Sequence, residues 1–184
     1  LYWYPDQNPA TTEVELSMLE ETMFSAEGIQ HVRLEGLVFD CVRFNGLGFR
    51  NCSDLIVAGC TIRRMAGNGI TIDGGSRNQL IGCDIHTLGR RGCEISGGDR
   101  ATLTRGDHVV ANSRFRDVGR IDRTYTPAIQ LDGVGHRIAH NHFENLPSSA
   151  MRVGGNDHLI ELNEFRHVVL ESDDQGAFAS GLVI

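Results

Sequence analysis

The chain contains no lysine. Its seventeen basic residues are all arginine, which excludes any mechanism built on a lysine base or a lysine Schiff base. A bias in genome composition accounts for the arginines as well as any function does. A surplus of basic charge is also missing: 24 acidic residues leave a net charge of −7. No basic face is therefore on hand to neutralise a phosphate backbone, and a nucleic-acid partner is excluded. No apolar run approaches the ~18 residues a membrane span requires, so no membrane partner is expected. No signal peptide is visible, although the chain opens on LYWYP without a methionine, so nothing turns on that. The five cysteines lack the paired C-x₂-C spacing of a zinc site. Cys60 and Cys83 share one repeat position and Cys93 sits among apolar residues, so small side chains stacked inside a turn are expected rather than disulfide or metal chemistry. The redox compartment stays open.

Helical periodicity is absent too, and what replaces it is a repeat of about 22 residues. Five apolar rows recur six times each. The first reads Leu34, Val57, Leu80, Val110, Ile138, Ile160. The second reads Phe39, Ile62, Ile85, Phe115, Phe143, Phe165, and the third Val42, Met65, Leu88, Val118, Leu146, Val168. The fourth and fifth are Leu47, Ile70, Cys93, Ile129, Met151, Phe178 and Phe49, Ile72, Ile95, Leu131, Val153, Ser180. No repeat leaves room for apolar residues at i, i+3 and i+4 over ten or more positions. Short alternations separated by turns describe strands stacked on their counterparts one coil away. The predicted fold is all-β, a right-handed parallel β-solenoid of about six coils.

Residues 1–28 fall outside the repeat and are expected to be an N-terminal edge segment covering the first coil, with residues 29–184 forming the solenoid. Within the segment, Leu1 to Pro5 alternates like a strand ended by proline, Val14-Glu15-Leu16 looks like another, and Met18 to Phe24 reads as a helical turn or a strand. The chain stops at GAFASGLVI without a polar cap. Because solenoids cap their ends, the expectation is a piece of a longer protein with further coils, or an end covered by a partner or a second copy. Glycine-rich corners such as Gly67-Asn68-Gly69 and Gly154-Gly155-Asn156 account for the 22 glycines without a cofactor loop. One corner row, Leu37, Cys60, Cys83, Ser113, Asn141, Asn163, predicts an internal polar ladder. His108, His136 and His158 recur five residues before it. With no carboxylate in their row they read as a structural ladder rather than a metal site.

The repeat breaks in three places, all at corners, where solenoids tolerate insertions and build binding faces. The step from the third row to the fourth is five residues in most coils, but Val118 to Ile129 takes eleven and Val168 to Phe178 takes ten. A third insertion, SGGDRATLTRGD, lies at the opposite edge of the same strands. Loops on both edges predict a trough over Ile129, Met151 and Phe178. Alternation turns Gln130, Asp132 and Arg152 outward there, while the insertions supply Tyr125, Glu171, Asp173 and Asp174. If coils four and six stack squarely, Asp132 and Asp173 lie roughly 10 Å apart, which leans toward the 6.5–9.5 Å, or thereabouts, of an inverting glycosidase carboxyl pair. Acidic residues at solvent corners also simply solvate. The group Glu171, Asp173 and Asp174 is where calcium is possible, although six or more convergent oxygens are needed; no other cofactor and no metal site is expected.

The stretch HNHFENLPSSAMRVGGNDHLIELNEFRHVVLESDDQGAF, residues 140–178, resembles bacterial right-handed β-helix carbohydrate-active enzymes, most closely glycoside hydrolase family 141, of fucosidase and xylanase type. LYWYP and HVRLEGLVF are similar to that family's entry into the helix, and GGNDH and SDDQGA are the most specific segments. The resemblance implies two catalytic aspartates on the helix surface, matching Asp132 in QLDGVG and Asp173 in SDDQG, with Asp174 a rival for the second role. It implies a glycoside hydrolase acting on a plant or algal polysaccharide, extracellular or periplasmic. Gln130 and Arg152 would hold hydroxyls or a uronate carboxylate, Tyr125 would stack on a sugar, and Glu171 would line the site. The alternatives are a polysaccharide lyase or uronate epimerase, or a glycan-binding solenoid without catalysis.

Overall fold

The computed structural model describes residue 8 and residues 11–180. Three parallel sheets run its length. The long sheet stacks Phe24–Glu27, Leu47–Arg50, Ile70–Asp73, Cys93–Ser96, Ile129–Leu131, Met151–Val153 and Phe178–Ser180 in that order. The second sheet holds six strands from Arg33–Glu35 to Leu159–Glu161, and the third holds six from Val38–Val42 to Glu164–Arg166. Each coil after the first rung contributes one strand to each sheet and bonds only to the coils above and below, so the chain is an all-β, right-handed parallel β-solenoid. No helix occurs among the described residues, and none is long and apolar enough to cross a membrane.

The registers are those the rows predict. Leu80 pairs with Val57 on one side and Val110 on the other, Phe115 with Ile85 and Phe143, and Ile129 with Cys93 and Met151. Within the column, Phe115 and Phe143 stack at 5.2 Å and 10°, and Phe143 and Phe165 at 5.2 Å and 24°. The core is buried through the middle coils and opens at the last described rung, where Ile160, Phe165 and Val168 are only partly buried.

The step of three between the second and third rows needs a physical device, because strict alternation would put Phe39 and Val42 on opposite faces. The device is one left-handed residue just before the third row. Cys41, Arg64, Thr87, Asp117, Asn145 and His167 all have φ between 49° and 59°. Each turns the chain by one position, so that both apolar residues face inward. Asparagine and aspartate adopt this conformation readily, while a β-branched residue such as Thr87 is strained there.

Residues before the repeat differ in several respects from their expectation. Val14 to Leu16 and Met18 to Met23 are irregular rather than strand or helix, pinned by ion pairs from Glu15 to Arg64 and from Glu20 to Arg43. Phe24–Glu27 is a first rung of the long sheet, with Phe24 stacked on Leu47. Its coil has no partners in the other two sheets, so no row announced it. The expected strand from Leu1 to Pro5 lies outside the described residues.

Two polar ladders run inside the corners. In one, the backbone N–H of Cys83 donates to Ser113 Oγ, that of Ser113 to Asn141 Oδ1, and that of Asn141 to Asn163 Oδ1, at 3.0–3.1 Å. The thiols of Cys60 and Cys83 continue this column and point at backbone carbonyls, and burial pushes the Cys83 thiol up to about 11. The other ladder is the histidine row. The N–H of Asn78 donates to His108 Nδ1, that of His108 to His136 Nδ1, and that of His136 to His158 Nδ1. The rings stack at 4.7 and 5.2 Å. Nε2 of His136 and of His158 faces the carbonyls of Asp132 and Gly154. In the preceding coil Asn78 takes the equivalent role, its side-chain oxygen accepting the N–H of Leu55.

Every Nδ1 in this ladder must be an unprotonated acceptor, so the fold requires neutral rings. Burial holds His108 and His136 at about 4, against 6.5 in an open chain, with the neighbouring rings lowering His136 further. Above pH 6.5 both states are neutral and the ladder's contribution is complete. Below it the unfolded chain binds protons that the folded chain refuses, so stability falls as pH drops from 6.5 toward 4. With two such rings the slope reaches at most about 2.7 kcal/mol per pH unit. Urea unfolding between pH 7.5 and 5 measures it, and His136→Asn, whose amide oxygen accepts without titrating, is expected to cut the slope by about half. At Thr87, replacement by asparagine is expected to relieve strain of about 1 kcal/mol and raise the melting temperature by roughly 2–4 °C, read by thermal denaturation.

Candidate functional site on the long sheet

The outer face of the long sheet carries one row of outward side chains: Ser25, Gly48, Thr71, Glu94, Gln130, Arg152 and Ala179, in register from rung to rung. The two enlarged corners enter this face from one edge. The third insertion stands at the other, closed by a two-way backbone pair between Asp99 and Thr104 and reaching coil five through Arg100 Nε to Asn156 Oδ1 at 3.2 Å.

The enlarged corners are tied to each other and to the coil between them. Arg123 in the first makes a bidentate ion pair with Glu171 in the second. Gln175 accepts from the hydroxyls of Ser148 and Ser149 at 2.6 and 3.0 Å and donates to Ser172 Oγ at 2.8 Å. Between the loops and the sheet lies a cavity of about 240 Å³, lined among others by Tyr125, Ser149, Arg152, Asp174 and Gln175. The Tyr125 hydroxyl lies 3.4 Å from Asp174 Oδ2.

Arg152 is the unusual member. Fourteen of the seventeen arginines have an acidic partner within ion-pair distance. Arg152 has none among the described residues, and neither a carboxylate nor a carbonyl accepts from it. It is exposed, at the mouth of a cavity that also contains a carboxylate and a phenol. A guanidinium left free at such a place is ready for an anion supplied from outside.

The structure thus brings together three of the residues expected at the site, Tyr125, Arg152 and Asp174. The others lie outside the cavity. Gln130 is beside Arg152 in the outward row, but its amide donates to Asp132 Oδ2 at 2.9 Å. Asp132 stands at the far edge of the sheet, past the end of its strand, with Oδ1 over Gly154, where an added Cβ would come within 2.3 Å. Glu171 is held below the usual carboxylate range by the Arg123 guanidinium and is occupied by it. Asp173 is exposed in the turn before Asp174. Asp132 lies three residues beyond the Ile129 column, ~10 Å along the strand, and two rungs, ~10 Å, from the coil of Asp173 and Asp174. Their backbones are therefore roughly 14 Å or more apart, rather than the ~10 Å of square stacking. The coils superimpose, while Asp132 and the acidic loop lie at opposite edges of the sheet. Among the described residues no three histidine, cysteine or acidic side chains converge as a metal site.

Sequence reasoning missed Gln175 and Ser149, which carry no charge and no motif and matter because they hold the Asp174 loop. It also missed Glu94, which is in the outward row one rung from Gln130 and is bound by Asn68 Nδ2 at 3.0 Å and by Arg91. Simple alternation would have found that residue.

The family model described as right handed beta helix region matches residues 18–120. The chain belongs to the right-handed β-helix family. No curated protein matches it. Among solved structures, this β-helix is similar to the A-module of the mannuronan C-5 epimerase AlgE4 of Azotobacter vinelandii, with 14% identity and a TM-score of 0.46, covering 86% of this chain and 55% of that one. The chain thus spans about half the length of that module, and the likeness concerns the winding of the coils, not their chemistry.

Proposed function

We propose that this β-helix acts on a uronate-containing polysaccharide laid over the long sheet, abstracting the C5 proton of a uronate as a lyase or an epimerase does. The observation that carries the reading is the unpaired Arg152 sharing a cavity with Asp174 and Tyr125. Abstracting a proton next to a carboxylate is difficult because the electron pair left behind adds to an existing negative charge. Arg152 would hold the uronate carboxylate by paired hydrogen bonds and stabilise the charge developing on it. Asp174 would accept the C5 proton. The electron pair then either takes a proton on the opposite face, inverting C5, or expels the O4 substituent and forms a C4–C5 double bond. The Tyr125 hydroxyl, beside Asp174 and so on the same face of the sugar, can hand its proton to the departing O4 in the lyase branch. The opposite-face proton of the epimerase branch comes from water, and the exposed Tyr125 ring offers a sugar a face to stack on. No lysine is required.

The reading carries with it an extracellular or periplasmic location, where such polymers are met. The hydrolase reading drawn from glycoside hydrolase family 141 rests on Asp132 acting with Asp173 or Asp174, and Asp132 does not line the cavity that holds Asp174.

Incubation with polymannuronate and polygalacturonate in D₂O tests the proposal, with ultraviolet absorbance for unsaturated product, NMR for deuterium at C5 and a reducing-end assay in parallel. Deuterium incorporation or unsaturation is expected. Asp174→Asn should lower turnover by about 10²–10⁴-fold and Arg152→Ala by about 10²-fold or more, while Asp132→Asn and Glu171→Gln leave it nearly unchanged. New reducing ends without unsaturation or exchange, lost in Asp132→Asn, would establish the hydrolase instead. Binding without turnover would leave a glycan-binding module.

A further inference from the structure

The opposite end of the same outward row holds a second, larger cavity, of about 420 Å³. Its walls mix polar and apolar groups: Thr22, Ser25, Asn45 and Thr71 contribute hydroxyls and an amide around Gly48, beside Ala26, Leu47 and Phe49. Gly48 keeps it open. A Cβ there would already touch Thr22 Cγ2 at 3.4 Å, so any longer side chain would fill the space. One margin is formed by Glu27, Arg50 and Asp73, in register on successive rungs. Arg50 Nε lies 3.7 Å from Asp73 Oδ2, too far for a hydrogen bond, and Ser96 Oγ donates to the other Asp73 oxygen at 3.0 Å.

These groups differ in kind from those around Arg152. Two carboxylates flank one guanidinium, so the margin is net negative and a second uronate would be repelled. Hydroxyls suit it well, because carboxylates accept from them while Arg50, Asn45, Ser25 and Thr71 donate. Gly48 and Arg152 belong to strands four rungs apart in one row, roughly 19 Å at ~4.8 Å per rung. One rung is about as tall as one pyranose unit is long. A chain of five or six units can therefore occupy both cavities, and a dimer cannot.

We infer that the cavity around Gly48 is a distal subsite for an uncharged, hydroxyl-rich sugar unit, so that the polymer taken by this β-helix carries uncharged sugars several units from the uronate at Arg152. The inference rests on the reading of Arg152 for the second half of that statement and on the cavity alone for the first.

Calorimetric titration with xylohexaose, cellohexaose, mannohexaose and digalacturonate tests it in the wild type, Gly48→Leu and Arg152→Ala. At least one neutral hexamer is expected to bind, with affinity reduced tenfold or more in Gly48→Leu and unchanged in Arg152→Ala, and digalacturonate should show the reverse. The double change Ser25→Ala with Thr71→Val removes hydroxyls without filling the cavity and should weaken the same hexamer; melting curves establish that each variant is folded. The inference is overturned if no neutral hexamer binds, or if Gly48→Leu binds it as the wild type does. Neutral binding that depends on Gly48 in a protein that neither binds nor turns over uronates would retain the subsite and remove the reading of Arg152.

Discussion

Everything in this molecule depends on vertical register. Each coil is too short to bury its own apolar residues, and its strands have no partners within the coil. The core and the hydrogen bonds come only from the coils above and below. Side chains alternate with a period of two, so a slip of one residue between coils would turn a whole row from the core to solvent. The columns oppose such a slip through shape, as in the stack of Phe115, Phe143 and Phe165. The corner ladders oppose it through hydrogen bonds that only one alignment makes, each side chain accepting the N–H of its own counterpart in the previous coil. Asparagine and neutral histidine both do this, which explains why Asn78 and three histidines occupy one column. Histidine adds a stacked aromatic face and a sensitivity to acid that asparagine lacks.

A rigid column leaves chemistry little freedom except at its corners. The two enlarged corners supply Tyr125 and Asp174, and the sheet supplies Arg152 at a fixed height. The loops are themselves restrained, by Arg123 with Glu171 and by Gln175 with two serines, so the cavity is largely preformed. The dense pairing of charge elsewhere gives Arg152 its meaning. On the third sheet, for example, Asp40 is held down to about 2 chiefly by Arg64, with Arg63 adding to it. Where arginines are nearly always matched by an acid of this chain, an unmatched one beside Asp174 and Tyr125 is what the proposed uronate site rests on.

The residues differ in how far they could be read. The inward rows, the corners and both ladders were legible because each is a repeating pattern, and six copies reinforce it. The first rung at Phe24 was not, since its coil is incomplete and one strand makes no pattern. The insertions were legible as breaks in the spacing, and so was the gathering of Tyr125, Arg152 and Asp174 on one face, where they line one cavity. The placement of Asp173 relative to Asp132 was not, because spacing fixes the coil and the row of a residue only while the chain follows the repeat.

The sequence by itself thus determined the winding of the chain, the face on which the insertions gather and the rung on which Arg152 stands, because a periodic chain has one alignment that buries its apolar rows. Only the tertiary structure decided which acid shares a cavity with that arginine. An insertion leaves the repeat, and its path over the surface is set by contacts such as those of Gln175 with Ser148 and Ser149, which join residues 26 and 27 positions apart and follow from no local rule.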